Sequence, residues 1–161
     1  MSDLLQALYS GDTARADEIL ATNPELNIFE ASATGATNRL RELLDADPSL
    51  ANAFGDDGFH ALGLACFFGH ADAARLLLER GADVNALSRN EHIQTAAIHA
   101  AAASGEAGAG EQTRFELVKL VLDHGADPNL PQPGGFRAID AARQNHDERV
   151  EQLLKERGAA D

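Results

Sequence analysis

The sequence predicts an all-α fold, an α-solenoid of about five stacked helix-turn-helix repeats with β-turn fingers. One observation is that the segment Gly81-Ala82-Asp83-Val84-Asn85 recurs as Gly125-Ala126-Asp127-Pro128-Asn129 and, in shortened form, as Gly158–Asp161. A second is that each copy follows an apolar run with the spacing of one helical face. A short helix of this kind cannot bury its apolar stripe alone, whereas stacked neighbours can.

The second helix of each repeat is predicted from apolar residues at positions i, i+3 and i+4. They are Ala16/Ile19/Leu20, Leu40/Leu43/Leu44, Ala74/Leu77/Leu78 and Val118/Val121/Leu122, with Leu153-Leu154 in the last unit. Asn23-Pro24 and Asp47-Pro48 end the first two of these helices, because proline cannot continue a helix. The glycines of the Gly-Ala-Asp segments end the other three, since glycine adopts the left-handed conformation of a helix C-cap at no steric cost.

A smaller helix precedes each of these. The five predicted ranges are Leu4–Ser10, Ile28–Thr34, Leu62–Phe68, Ile98–Ser104 and Ile139–Asn145. Alanines recur at matching places in four of them, which lets neighbouring backbones approach closely. Gly11, Gly35, Gly69 and Gly105 are predicted to close the first four copies, and His146 stands at that place in the fifth.

The composition limits the classes of partner. The 161 residues include 26 acidic and 13 basic side chains, a formal net charge of −13, so the average field repels a nucleic-acid backbone. The same field favours encounter with a basic protein, although acidity also serves solubility alone. A lone cysteine, Cys66, fits a reducing compartment. No signal peptide or membrane-spanning run is evident, so we expect a cytoplasmic protein.

With these features the repeat resembles the ankyrin repeat, a β-turn followed by two antiparallel helices with a period of about 33 residues. The best matches are Gly81–Asn85, Ile98-His99 with Ala101-Ala102, and Gly69-His70. The resemblance covers residues 1–161 as a single domain with approximate units 1–25, 26–54, 55–86, 87–130 and 131–161. The charged ends of unit five favour a capping repeat, and we expect the chain to be complete and monomeric.

The sequence departs from the family pattern in several places. Ala61, Ala97 and Ala138 stand where the family has proline. Gly63 and Asp140 replace the family's turn-binding histidine, which only His99 is expected to retain. The join between units one and two is too short for a finger. Unit four carries about eleven extra residues around Ser88–Thr95 and Glu106–Thr113, the second of which contains a glycine-rich segment without the lysine of a phosphate-binding loop.

The resemblance implies a binding site for another protein of basic or neutral surface on the concave face. The candidate contact residues at the ends of inner helices are Tyr9, Phe67, Phe68, Ser104 and Gln144. Those on turn tips are Phe54, Asp56, Phe59, His60, Arg89, His92, Phe136 and Arg137. Most of the aromatic residues fall in this set, and aromatic side chains are enriched in binding hot spots. Phe67 or Phe68 could instead seal the gap between units three and four.

Catalysis, cofactor and metal binding are not expected. The six histidines lack the spacing of zinc ligands, and nothing near Cys66 would activate a thiol. Two alternatives to a protein-binding module remain open. One is a small-ligand or enzymatic role at the insertions of unit four, which a closed pocket gathering His92, His99, Cys66 and Glu106 would favour. The other is an acidic inhibitor that mimics nucleic acid.

Overall fold

The computed structural model describes residues 1–161 as ten α-helices in five antiparallel pairs. The inner helices are α1 (Asp3–Tyr9), α3 (Ile28–Thr34), α5 (Ala61–Phe67), α7 (Ala97–Ala102) and α9 (Ala138–Gln144). The outer helices are α2 (Thr13–Ala21), α4 (Thr37–Ala46), α6 (Ala71–Glu79), α8 (Glu111–Asp123) and α10 (Glu148–Glu156). Short 3₁₀ helices cover Pro48–Asn52 and Ser104–Ala107. The predicted all-α solenoid is confirmed, with α1, α5, α7 and α9 each beginning one residue earlier than predicted.

The helices form two layers. Each inner helix contacts the next inner helix, and α4, α6, α8 and α10 contact one another in the same order. Large aliphatic side chains such as Leu40, Leu77 and Leu154 are fully buried between the layers. The inner-helix alanines, among them Ala65 and Ala101, are also fully buried. Their small side chains allow the close approach of inner helices that the sequence predicted.

Most inner helices end where expected, at a residue with a left-handed backbone conformation. Positive φ values occur at Gly11 (72°), Gly35 (72°), Gly69 (82°) and His146 (53°). The prediction for Gly105 was wrong. That residue lies inside the second 3₁₀ helix, and Gly108, with φ of 92°, ends the segment instead. The predicted insertion is also shorter than expected, because Glu111–Thr113 form the first turn of α8.

One asparagine in each of units two, three and four ties that unit to the next. Asn85 donates through Nδ2 to the Gly125 carbonyl (3.1 Å), and its Oδ1 accepts from the Asp127 amide (2.8 Å). Asn52 makes the same two bonds to Gly81 and Asp83, and Asn129 makes them to Gly158 and Ala160. The recurrent Gly-Ala-Asp segment therefore both ends a helix and presents backbone groups to the preceding repeat.

Replacing Asn85 with alanine is expected to lower the free energy of unfolding by about 1–2 kcal/mol, because two hydrogen bonds between repeats are lost at an exposed site. Asn38→Ala is a matched control, since Asn38 bonds only Arg41 within its own helix. Urea denaturation of both variants checks the prediction. Equal midpoints for the two variants would show that the asparagine bonds do not hold the repeats together.

Three ordered turns project from the stack as fingers. In the first and third, the Gly55 amide donates to the Phe59 carbonyl and the Gln132 amide donates to the Phe136 carbonyl (both 2.8 Å). The middle finger, residues 88–95, is closed by the Ser88 amide donating to the Thr95 carbonyl (2.9 Å). As predicted, no finger lies between α2 and α3, which are separated by only six residues.

The first and middle fingers are bound to each other. The Arg89 amide donates to the Gly58 carbonyl (2.7 Å), and Asn90 Nδ2 donates to the Asp57 carbonyl (2.7 Å). Gly58 has a φ of 83° and touches the backbone of Arg89 and Asn90 so closely that no side chain fits there. The insertion Ser88–Thr95 is therefore a structured finger held by its neighbour.

Contacts are not confined to adjacent repeats. The ring of Tyr9, at the end of α1, lies 6.0 Å from the ring of Phe59 and 5.6 Å from that of Phe68, both in unit three. Leu5 of α1 also joins a small apolar cluster with Leu64 of α5. Stacked repeats ordinarily contact only their immediate neighbours. Units one and three touch here because unit two has no finger to separate them.

Candidate functional site

The concave side of the stack contains a groove of about 510 Å³ that runs across units three to five. Residues of α5, α7 and α9 form its floor, all three fingers form its wall, and Met1 and Tyr9 lie at one end. A volume of this size is typical of binding clefts. The inner helices and turn tips thus form a common concave surface, as the sequence predicted.

Small residues form the floor. Gly63, Ala100, Ala103 and Ala141 line the groove at successive inner helices. Because these residues have little or no side chain, the concave surface is recessed there rather than filled. The small residues of the inner helices therefore allow the repeats to stack closely, and they also leave space for a ligand.

Bulky apolar side chains border the recess. Phe59 and Phe136 occupy equivalent places in the first and third fingers, two repeats apart, since both supply the carbonyl that closes their turn. Ile93, at the middle finger, is 54% exposed, and Phe67 reaches the groove from the end of α5. Exposed apolar groups arranged around a recess are typical of a binding site for another apolar surface.

Two histidines and an aspartate fix the base of the fingers. His99 Nδ1 accepts from the Ala96 amide (3.0 Å) while its Nε2 lies 2.7 Å from the Leu130 carbonyl. Because Nδ1 is an acceptor, Nε2 carries the proton and donates to that carbonyl. This confirms the turn-binding role predicted for His99. In the next unit Asp140 accepts from the Arg137 amide (2.8 Å).

His60 performs the same role from a different position. Its Nδ1 accepts from the Gly63 amide (3.0 Å), and its Nε2 lies 3.0 Å from the Ala86 carbonyl. The prediction that only His99 retains this role was therefore wrong. So was the predicted exposure of His60, which is buried because both ring nitrogens are bonded within the fold. Burial lowers the pKa of both His60 and His99.

Tyr9 and Asp57 form the end of the groove nearest the N-terminus. Burial, followed by the negative charge of Asp57, raises the pKa of Tyr9. Asp57 Oδ1 accepts from the Phe59 amide (3.1 Å), whereas its Oδ2 is shielded from solvent and accepts no hydrogen bond. Such an unsatisfied carboxylate oxygen is uncommon in folded proteins.

The structure brings together about half of the predicted contact residues. Tyr9, Phe59, Phe67, Phe136, Arg137 and Gln144 line the groove, as does the buried ring of His60. Asp56 and His92 are exposed but lie outside it. The guanidinium of Arg89, in the middle finger, stacks over the ring of Phe54 at 4.0 Å, on a surface separate from the groove.

Two further predicted residues have structural roles. Ser104 is fully buried, and its hydroxyl donates to the Ala101 carbonyl (2.8 Å), so the prediction that it is exposed was wrong. Phe68 is half-buried against Tyr9, Phe67 and the cluster around Leu64, outside the groove. Phe67 also packs against the main core while it lines the groove. Phe68 therefore packs toward units one and two, and the interpretation that it seals the gap between units three and four was wrong.

Sequence reasoning missed part of the lining. Leu64, Ala100 and Ala141 were not predicted to line it, and Ile93 was considered only as a residue of the middle finger tip. Ile93 carried a usable signal, because an isoleucine in an otherwise polar insertion has no evident core to join. The small floor residues carried none, since alanine in an inner helix predicts close packing as well as a recess.

The geometry gives no support to a catalytic centre in unit four. His99 and Glu106 line the groove, but His92 does not, and Cys66 is fully buried. Burial raises the pKa of the Cys66 thiol to about 12. No group of three or more His, Cys, Asp or Glu side chains is arranged to hold a metal ion. None of the ten helices has the length and apolar character needed to cross a membrane.

Comparison with known proteins shows similarity to ankyrin repeat proteins. The profile of the ankyrin repeat family matches residues 28–132 as three copies. The chain is 35% identical over 114 residues to the rat ankyrin repeat and SAM domain-containing protein 6, a match that spans 71% of this chain and 12% of that protein. It is 31% identical over 120 residues to the ankyrin repeat protein YahD of Escherichia coli K12, spanning 74% of this chain and 57% of YahD. The chain thus spans only part of the length of these relatives.

Proposed function

Because the chain belongs to the ankyrin repeat family, whose repeats generally mediate protein–protein interactions, we propose that it is a non-enzymatic protein-binding module that holds a segment of a partner protein in the concave groove. The observation that carries this proposal is the groove itself, with Phe59, Phe67 and Phe136 around a floor of small residues. A partner side chain inserted between these aromatic groups would bury apolar area on both molecules.

The rigidity of the groove supports this role. The first and middle fingers are bonded to each other, and His60 and His99 bond the backbone at the bases of the middle and third fingers. A pre-organised surface loses little conformational entropy on binding, which leaves more of the contact energy for affinity. We also propose a monomer in a cytoplasmic setting, in keeping with a free, buried Cys66 thiol.

A substitution that fills the groove tests the proposal. Ala103→Arg places a long side chain on the floor, whereas Ala107→Arg adds the same side chain at an exposed position four residues away, outside the groove. Wild-type protein and both variants are used as baits in an extract of the source organism, with bound proteins identified by mass spectrometry. Proteins retained by the wild type and by Ala107→Arg but lost with Ala103→Arg are the expected result.

The affinity of a partner found in this way is then measured with purified proteins. We expect at least a tenfold loss for Ala103→Arg, because the hot-spot pocket is filled. Unchanged affinity for Ala103→Arg, with the partner still bound, would place the interaction elsewhere on the molecule. It would then contradict the proposal that the groove is the binding site.

A further inference from the structure

We propose, on the basis of the proposed function, that the segment held in this groove combines bulky apolar side chains with at least one lysine or arginine. The apolar requirement follows from the lining already described. The basic requirement follows from the charged groups that face the groove and from the partners they already have.

The two carboxylates of the groove have no basic partner. Asp57 lies at the N-terminal end and Glu106 lies beyond α7, and neither forms an ion pair with any Lys, Arg or His side chain. A cationic group that settles beside Asp57 would neutralise a charge that the fold leaves uncompensated.

The basic side chain that lines the groove already has partners within the fold. Arg137 is the only arginine or lysine that lines it. Its Nε lies 3.7 Å from Asp140 Oδ2, and its Nη1 donates to Asn129 Oδ1 and to the Ala160 carbonyl. Arg89, in the middle finger, is stacked over Phe54 on another surface.

The histidines add no compensating positive charge. His60 and His99 use both ring nitrogens within the fold, and burial holds their pKa values below the usual range. Among the side chains that line the groove, the uncompensated charge is therefore negative. Apolar walls strengthen the resulting field, because they exclude the water that would otherwise screen it. An acidic segment would be repelled, whereas a basic one is complementary.

Selection of peptides tests this chemistry directly. A phage-displayed library of random 12-residue peptides is selected on the immobilised protein. An Ala103→Gln variant, which fills the floor without adding charge, is used to discard peptides that bind outside the groove. We expect the remaining peptides to be enriched in lysine or arginine together with leucine, isoleucine or aromatic residues. Enrichment in apolar residues alone, or in acidic ones, would overturn the proposed preference while leaving the groove as a binding site.

Charge-removing variants then assign the preference to these carboxylates. The best selected peptide is synthesised and its dissociation constant is measured against Asp57→Asn, Glu106→Gln and the control Glu79→Gln, which removes an exposed and unpaired charge on an outer helix. We expect roughly a two- to fivefold loss for each groove variant, a smaller loss at high salt and no loss for the control. Asparagine at position 57 retains the acceptor for the Phe59 amide.

Two other outcomes would contradict this inference. Equal affinity of all three variants would overturn the assignment to Asp57 and Glu106. If no selected peptide distinguishes the wild type from Ala103→Gln, the groove does not bind peptide segments, and the proposed function fails together with this inference. Thermal melting of every variant shows whether a loss of affinity reflects a loss of folded protein.

Discussion

Replacing Arg114 with alanine is expected to lower the free energy of unfolding by about 3–5 kcal/mol, because it leaves the buried Asp147 carboxylate without its counter-charge. Arg114 Nε donates to Asp147 Oδ2 at 2.6 Å, and the two side chains are only 11% and 7% exposed. Asp147 also caps α10 by accepting from the Val150 amide (3.1 Å). The pair thus joins unit four to the first turn of the last outer helix.

Two further variants separate the burial of this pair from charge pairing in general. Arg75→Ala breaks an ion pair with Asp72 that is exposed on both sides, and it is expected to cost less than about 1 kcal/mol. Arg114→Met combined with Asp147→Ser removes both charges while serine keeps a helix cap, and it should recover part of the lost stability. Urea denaturation measures all three. A loss for Arg114→Ala no larger than that for Arg75→Ala would contradict the buried-pair account.

Replacing Gly58 with alanine is expected to lower the free energy of unfolding by about 3 kcal/mol or more, the sum of a strained backbone and a steric clash. At its φ of 83° a side chain is unfavourable. A Cβ atom would in addition lie 2.5 Å from the Arg89 carbonyl carbon and from the Asn90 nitrogen. The two fingers would have to separate, and the bonds from Arg89 and Asn90 would be lost.

Gly135 provides a matched control, because it occupies the equivalent place in the third finger. Its φ is 87°, yet a Cβ atom there would meet nothing within 4 Å. Gly135→Ala therefore isolates the backbone cost, expected to be about 1–2 kcal/mol. Chemical denaturation and peptide affinity are measured for both variants. Similar losses of stability would show that the contact between the fingers contributes nothing.

Much of the fold follows from the sequence because its signals are local. Apolar spacing fixes the helix faces, and glycine or proline fixes the helix ends, so the inner helices and the ends of the outer helices could be predicted to within one or two residues. The exceptions have a tertiary cause. Gly105 fails to close its repeat because the Arg114 guanidinium packs against it and the chain continues to Gly108. Tyr9 reaches unit three because unit two lacks a finger.

The site was less predictable because exposure depends on neighbouring repeats. His60 and His99 differ in their position relative to the helix start, yet both bond the carbonyl of the next finger, a contact that no spacing rule along the chain reveals. Ser104 occupies the position expected to be exposed, but it begins the second 3₁₀ helix and is fully buried. Aromatic placement was the better guide, since Tyr9, Phe59, Phe67 and Phe136 all lie at the groove.

The claim that the concave groove is the interaction surface is tested most directly by mapping amide chemical shifts as a selected peptide is titrated into isotopically labelled protein. We expect the largest changes at groove residues such as Gly63, Ala103 and Ile93, with little change on the outer helices α4 and α6. Changes concentrated on the outer helices, with the groove amides unmoved, would contradict the claim.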